Sequence, residues 1–292
     1  MSTSQTTPRP PIPPALEGEV RRRCGFGCVI CGLPLYEYEH MLGWANVQRH
    51  VAEEITLLCD MHHREKTNGL LPMEEVQAAN EAPFNLREGV SKPYNLHYNG
   101  PRCETIIGSN KFSMNVGDGP VSIPLVIDGR ALILFNSLDN HFLLNLELFD
   151  EFNHPILRIA NNELQYSVTP WDIRLRGRNL LIRAAERRIL VDISFEVPNR
   201  IVINRGRLLF NGVEIVLQPD YALIVNDGNL LDQNEVINMP IGLMIGSRDF
   251  SGPAAFHIPN VPRYSGSTLA AMRRARRRIR DSDAMRQALF GH

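Results

Sequence analysis

Two close pairs of metal-binding side chains, Cys28-Val29-Ile30-Cys31 and Cys59-Asp60-Met61-His62, stand near the start of this 292-residue chain. Tetrahedral zinc takes four sulfur or nitrogen ligands, most often offered as two such pairs. A segment this short buries too little apolar surface to fold alone, so a metal staple at Cys28, Cys31, Cys59 and His62 is expected. Cys24, just upstream, is a competing ligand, but the later pair suits a tight knuckle better. With Cys103 the cysteines number five, an odd count with three crowded together, which argues against a disulfide framework.

Residues that zinc does not need lie between and just beyond the pairs. Glu39-His40 falls in the interval and His63 follows the last ligand. An imidazole that titrates near neutrality can take a proton from water. A carboxylate with a second imidazole can hold a divalent cation, which neutralises a phosphate and stabilises a leaving oxygen. Glu39, His40 and His63 are thus the right residue types for one-metal phosphodiester hydrolysis. His62 and His63 are adjacent, so their roles could be exchanged, and side-chain direction is what would separate them. His50 lacks a preceding acid and is expected to be structural. Trp44 is expected in the core of this segment.

Taken together, Cys-x-x-Cys, Glu39-His40 and Leu57-Leu58-Cys59-x-x-His62-His63-x-x-Lys66 resemble the zinc-stapled subclass of the HNH endonucleases, over residues 23–69. The resemblance implies a ββα-metal finger. It implies His40 as the general base, Glu39 and His63 as ligands of a catalytic magnesium or manganese ion, and zinc on Cys28, Cys31, Cys59 and His62. Lys66, with Arg64 beside it, would contact the DNA backbone. The middle asparagine of the family pattern, which braces the loop carrying the base, falls at Glu54. A glutamate there could accept a similar hydrogen bond or draw in a cation of its own.

The remainder of the chain has a different texture. Residues 1–16 hold a proline-rich stretch from Pro8 to Pro14 and are expected as a disordered tail. A short helix is expected from Glu17 to Arg23 and another after Pro72, closing a nuclease domain over 17–81. Residues 82–102, with Pro83, Gly89, Pro93 and Gly100, are expected as a linker. From 103 to 265, alternating segments such as Ile173–Arg176, Val191–Val197 and Val213–Gln218 predict short strands. Asn161-Asn162, Gly177, Gly206, Asn211-Gly212 and Asp227-Gly228 are the turn signals between them. Sandwich, barrel and solenoid all satisfy this pattern. The fold class expected is α+β: a small zinc-stapled finger, then a mostly antiparallel all-β domain, then a basic C-terminal helix over 266–292. That helix is expected to be capped by Ser267 and to carry Leu269, Met272, Ile279, Met285 and Leu289 on its apolar side.

Net charge is −1, so no global basic field advertises nucleic acid, and DNA contact must come from local patches. The arginine-rich C-terminal helix, with Arg273 and Arg277, is the better candidate. Arg174, Arg176 and Arg178, with Arg183, Arg187 and Arg188, could form a strip for phosphates, with ordinary solvated strand faces as the default reading. No apolar run approaches membrane-spanning length and no apolar leader is visible, so a cytoplasmic protein is expected. The β domain is expected to regulate the finger or to assemble it into homo-oligomers, since each site would cut one strand. Restriction of foreign DNA is a role such a pairing would serve. A non-catalytic zinc module that binds nucleic acid or protein is the alternative.

Overall fold

A computed structural model describes residues 10–290. It is mixed α+β and mostly β, with 43% strand and 21% helix. Residues 1–9 of the expected tail and 291–292 lie outside the described residues, as do the side chains of Met285 and Leu289.

The front segment opens with α1 (Pro14–Arg23), begun by proline at its first positions, where the missing N–H costs nothing. The end of the expected tail therefore belongs to this helix, and Ile12 and Leu16 pack on the core of the front segment. Then come β1 (Glu37–His40), the single turn α2 (Trp44–Val47), β2 (Ile55–Leu58) and α3 (Asp60–Thr67). Strands β1 and β2 pair antiparallel, with Glu39 opposite Thr56 and His40 opposite Ile55. The result is a two-stranded ribbon followed by a helix. Its own small core holds Val20, Cys28, Val29, Ile55, Leu57, Leu58 and Val76. Val76 comes from α4 (Met73–Glu81), which Pro72 precedes as expected.

The segment expected as a linker is built into the fold. It forms α5 (Phe84–Glu88) and a short strand, β3 (Tyr94–Asn95). Asn85 is fully buried and its side-chain amide donates to the Gly25 carbonyl at 2.8 Å. A Cβ at Gly32, which has φ +77°, would meet Asn85 Oδ1 and the Phe84 ring at 2.4 Å, so only glycine admits α5 this closely. Prolines and polar residues read as a linker because periodicity does not reveal long-range docking.

The β body follows as β4 (Arg102–Ile107), β5 (Asn110–Asn115), β6 (Val121–Ile127), β7 (Arg130–Leu138), β8 (His141–Phe149), β9 (Pro155–Ala160) and β10 (Glu163–Tyr166). It continues with β11 (Asp172–Arg176), β12 (Asn179–Ala185), β13 (Arg188–Glu196), β14 (Arg200–Phe210), β15 (Val213–Gln218) and β16 (Tyr221–Ile224). The last strands are β17 (Leu230–Leu231), β18 (Glu235–Ile237), β19 (Ile241–Ile245) and β20 (Ala254–Ile258), and α6 (Gly266–Phe290) ends the chain. One sheet has the order β20-β19-β6-β7-β8-β9-β10-β3. The other runs β11-β12-β13-β14-β15-β16-β17, and β4, β5 and β18 extend it from β14. Leu144 and Leu146 of the first sheet and Ile201 and Ile203 of the second share one core, so the two sheets form a sandwich.

Turn chemistry explains much of the meander. Asn161-Asn162 and Asn211-Gly212 all have positive φ, the geometry of a two-residue hairpin turn. Gly206 is not a turn. It lies inside β14 at φ +137°, beside a register shift against β13, where a Cβ would meet the Leu190 carbonyl oxygen at 2.4 Å. It is a bulge glycine. Helix α6 lies on β15 and β16, where Leu269 and Met272 cover Val216 and Val225. Strand β15 is buried along five of its six residues for that reason. Ser265 rather than Ser267 precedes the helix, and its hydroxyl accepts from the Thr268 N–H at 3.5 Å. Ile279 is 62% exposed, off the packed side. Among the described residues, no helix is long and apolar enough to cross a membrane.

Front segment and β body are clamped together. Arg21 of α1 donates twice to Asp172 of β11, Nε to Oδ1 and Nη2 to Oδ2, both at 2.9 Å. Their side chains are 4% and 2% exposed. Arg183 adds a bond to Asp172 at 3.1 Å, and Arg21 reaches the Tyr38 hydroxyl at 2.7 Å. Tyr166, fully buried, donates to the Phe26 carbonyl at 2.6 Å, and Phe26 itself sits in the core of the sandwich. Removing one partner of a buried pair leaves an uncompensated charge. Asp172→Ala is therefore expected to cost about 3–5 kcal/mol in urea unfolding, while Arg205→Ala, at an exposed pair, changes the unfolding midpoint little.

Candidate metal centre and catalytic cluster

The four expected zinc ligands converge. One ligand atom from each of Cys28, Cys31, Cys59 and His62 lies within 4.8 Å of all the others. His62 Nδ1 is 3.3 Å from Cys28 Sγ and 3.2 Å from Cys59 Sγ, and the Cys31 and Cys59 sulfurs are 3.8 Å apart. Zinc bonds of ~2.3 Å to sulfur and ~2.0–2.1 Å to nitrogen place neighbouring tetrahedral ligands ~3.5–3.8 Å apart, so the group fits that ion. The geometry has local causes. The Cys28–Cys31 knuckle closes with the Gly32 N–H on the Cys28 carbonyl at 2.8 Å. Cys59 is the residue that starts α3, and His62 falls in its first turn.

The thiols show why a cation belongs there. A hydrogen bond from Cys31 draws the Cys28 thiol down to about 4. Cys31 is pushed up by that same hydrogen bond and by burial, and Cys59 by burial first and by the Cys28 charge. Three neighbouring sulfurs cannot all ionise without a compensating positive charge. Cys24 stands apart from the four. It is buried beside Thr56 and Asn80, and burial pushes its thiol up.

A second cluster forms on the other side of α3. Successive helical residues point about 100° apart at 3.6 residues per turn. With His62 turned into the sulfur cluster, His63 faces β1. Its Nε2 lies 3.1 Å from Glu39 Oε2. Its Nδ1 lies 3.0 Å from an oxygen of Glu37. Glu37 escaped the sequence reading; its position two residues before Glu39 on a strand was the signal for it, because alternate strand residues share a face. Lys66, one turn beyond His63, pairs with the other oxygen of Glu39 and lies 3.4 Å from the His40 carbonyl. Glu37 and Glu39 thus hold the two nitrogens of the His63 ring between them. Arg64 lines a shallow cavity of about 300 Å³ over this cluster with Glu37, Asp60, His63 and Thr67.

The structure does not bring the His40 ring into that cluster. His40 is 1% exposed, and its Nε2 lies 3.2 Å from His50 Nδ1. Trp44 meets it edge-on at 5.1 Å and stacks on His50 at 4.9 Å. Trp44 is thus part of a ring cluster with the two histidines. The other nitrogen of His50 is 3.0 Å from the Pro10 carbonyl. Glu54 pairs with Arg49 through its side chain, which holds its carboxyl below the usual value. Its backbone carbonyl accepts from the Met41 N–H at 2.9 Å. The bond to Met41 is a backbone one that any residue could make, and the Glu54 side chain is committed to Arg49.

The two arginines of α6 lie far along the second sheet, over β15 and β16, whereas the front segment docks at β11. Arg273 is engaged by buried Glu214 at 3.0 Å, and Arg277 is 83% exposed, 4.0 Å from Asp281.

Purified protein is expected to carry one zinc per chain by elemental analysis. Cys59→Ser and His62→Ala should lose it, and chelation should open the front segment to proteolysis while the sandwich survives. Compared with known protein families, with curated proteins and with solved structures, the chain matches none.

Proposed function

We propose that this chain is a metal-dependent endonuclease of the HNH kind, which hydrolyses phosphodiester bonds of DNA. The observation that carries the reading is the pairing of Glu39 with His63 on a ββα unit, with Glu37 behind the histidine and Lys66 beside the carboxylate. Structural zinc on Cys28, Cys31, Cys59 and His62 would hold that unit together. A magnesium or manganese ion on Glu39 and His63 would supply charge neutralisation at the scissile phosphate. Lys66, now paired with Glu39, would be free to meet a phosphate oxygen if the ion took that carboxylate. His40, hydrogen-bonded to His50, takes the proton of the attacking water. At 1% exposure it would do so only after the Trp44–His50 segment moves.

DNA can approach along the first edge of the second sheet. Arg174 and Arg176 of β11 line a cavity of about 480 Å³ together with Glu37 and Tyr38 of β1. These two arginines are better placed for a phosphate near the cluster than those of α6. A double-strand cut needs two such sites, which is the use a homo-oligomer built on the β body would have. Restriction of foreign DNA is the role that chemistry would serve.

The burial of His40 and its pairing with His50 favour one second reading, a zinc module that binds nucleic acid without cutting it. Plasmid nicking separates the two. On the nuclease reading, zinc-loaded protein nicks supercoiled DNA with magnesium or manganese, EDTA stops it, and His40→Ala lowers the rate by about 10²–10⁴-fold. Cutting that persists unchanged in His40→Ala contradicts the base assignment, and folded protein that binds DNA without nicking it supports the module. Glu37→Gln should raise the manganese concentration for half-maximal cutting by about 10–100-fold, with zinc content unchanged.

A further inference from the structure

A basic pocket lies between α6 and the second sheet, apart from the cluster on β1 and α3. Its volume is about 560 Å³, and eight arginines against two aspartates line it. The floor is built around Glu214, which is fully buried on β15. Arg207 and Arg273 converge on one of its oxygens. Arg207 is only 7% exposed. The bulge at Gly206 sets this floor, because it shifts β14 by one residue against β13 between Asp192 and Ile193. Arg276 is committed to structure: its Nε donates to the Val225 carbonyl at 2.9 Å, and its guanidinium lies where a Cβ on Gly228 would be.

The rim is different. Arg187 and Arg188 at the β12–β13 turn, and Arg274 on α6, face the same space, and none of them has an ion-pair partner among the described residues. Burial holds Arg273 below the ordinary arginine value, and the guanidinium groups of Arg207, Arg188 and Arg274 lower it further, with Glu214 opposing. Positive charge is crowded here beyond what the fold compensates. Opposite the arginines, Val216, Leu223 and Tyr221 supply an apolar wall.

We propose that this pocket binds a small polyphosphate anion of the nucleoside polyphosphate class. Guanidinium forks match phosphate oxygens two at a time, and several forks around one recess suit clustered phosphates. The volume is that of a small-molecule site. Its recess favours a small anion over duplex DNA, whose phosphates stand on a convex surface and would reach the rim arginines without reaching Arg207 on the floor.

The test is calorimetric titration of the full zinc-loaded chain with ATP and with inorganic tripolyphosphate at physiological salt, with a 20-base-pair duplex as competitor. Binding at a single micromolar site is expected, with a loss of about tenfold or more in Arg188→Glu/Arg274→Glu. Both positions are exposed, so the fold should tolerate the change. Arg188→Gln/Arg274→Gln repeats the test without charge reversal, and a thermal melt checks each variant. Tighter binding of ATP than of tripolyphosphate means that the apolar wall reads the base; equal binding means that the phosphates alone are read. Millimolar or absent binding, affinity unchanged in both variants, or displacement by the duplex would overturn the proposal, the last by giving the surface to DNA.

Discussion

Everything chemical in the front segment depends on how the Cys28, Cys31, Cys59 and His62 cluster fixes the rotation of α3. Cys59 begins the helix and His62 is turned into the sulfurs, so the helix cannot spin about its axis. The next residue is thereby aimed at β1. His63 meets Glu39 and Glu37 because its neighbour is held elsewhere. Two adjacent histidines whose roles are ambiguous in one dimension become distinct once 100° of helical rotation separates them. A metal held by these four would close a core too small to close itself, and the helix rotation they set places a carboxylate–imidazole pair beside that core.

The second constraint is the Arg21–Asp172 clamp. A buried ion pair is weak evidence for net stability, because two charges must leave water to make it. Its value is in register. The two-pronged bond fixes α1 on β11 at one place, with Arg183 and Tyr38 filling remaining positions. Tyr166 and Phe26 then seat the front segment in the core of the sandwich. The clamp also reaches β1, since Tyr38 lies between Glu37 and Glu39 and bonds the same arginine.

Local features were the legible ones. The ligand pairs, the strand over Val213–Gln218 and the hairpin turns at Asn161-Asn162 and Asn211-Gly212 each depend on spacing or on a residue's own φ preference. What stayed hidden depends on partners far along the chain. Residues 82–102 read as a linker because their burial comes from Gly25, Gly32 and Tyr166, all remote in sequence. Gly206 read as a turn because a bulge glycine and a turn glycine look alike without the opposing strand. Glu37 and His50 were missed as partners of His63 and His40 for the same reason. Asp172 carries no signal in the sequence, because its partner Arg21 stands 151 residues away.

We propose that Glu39 and His63 hold a second metal ion beside the cysteine–histidine cluster. Electron paramagnetic resonance of manganese added to the zinc-loaded chain tests it directly, with Glu39→Ala and His63→Ala beside the parent. One bound manganese per chain is expected in the parent, lost in both variants, with zinc retained in all three. Manganese bound equally well by parent and variants, or by none of them while zinc is present, would contradict it.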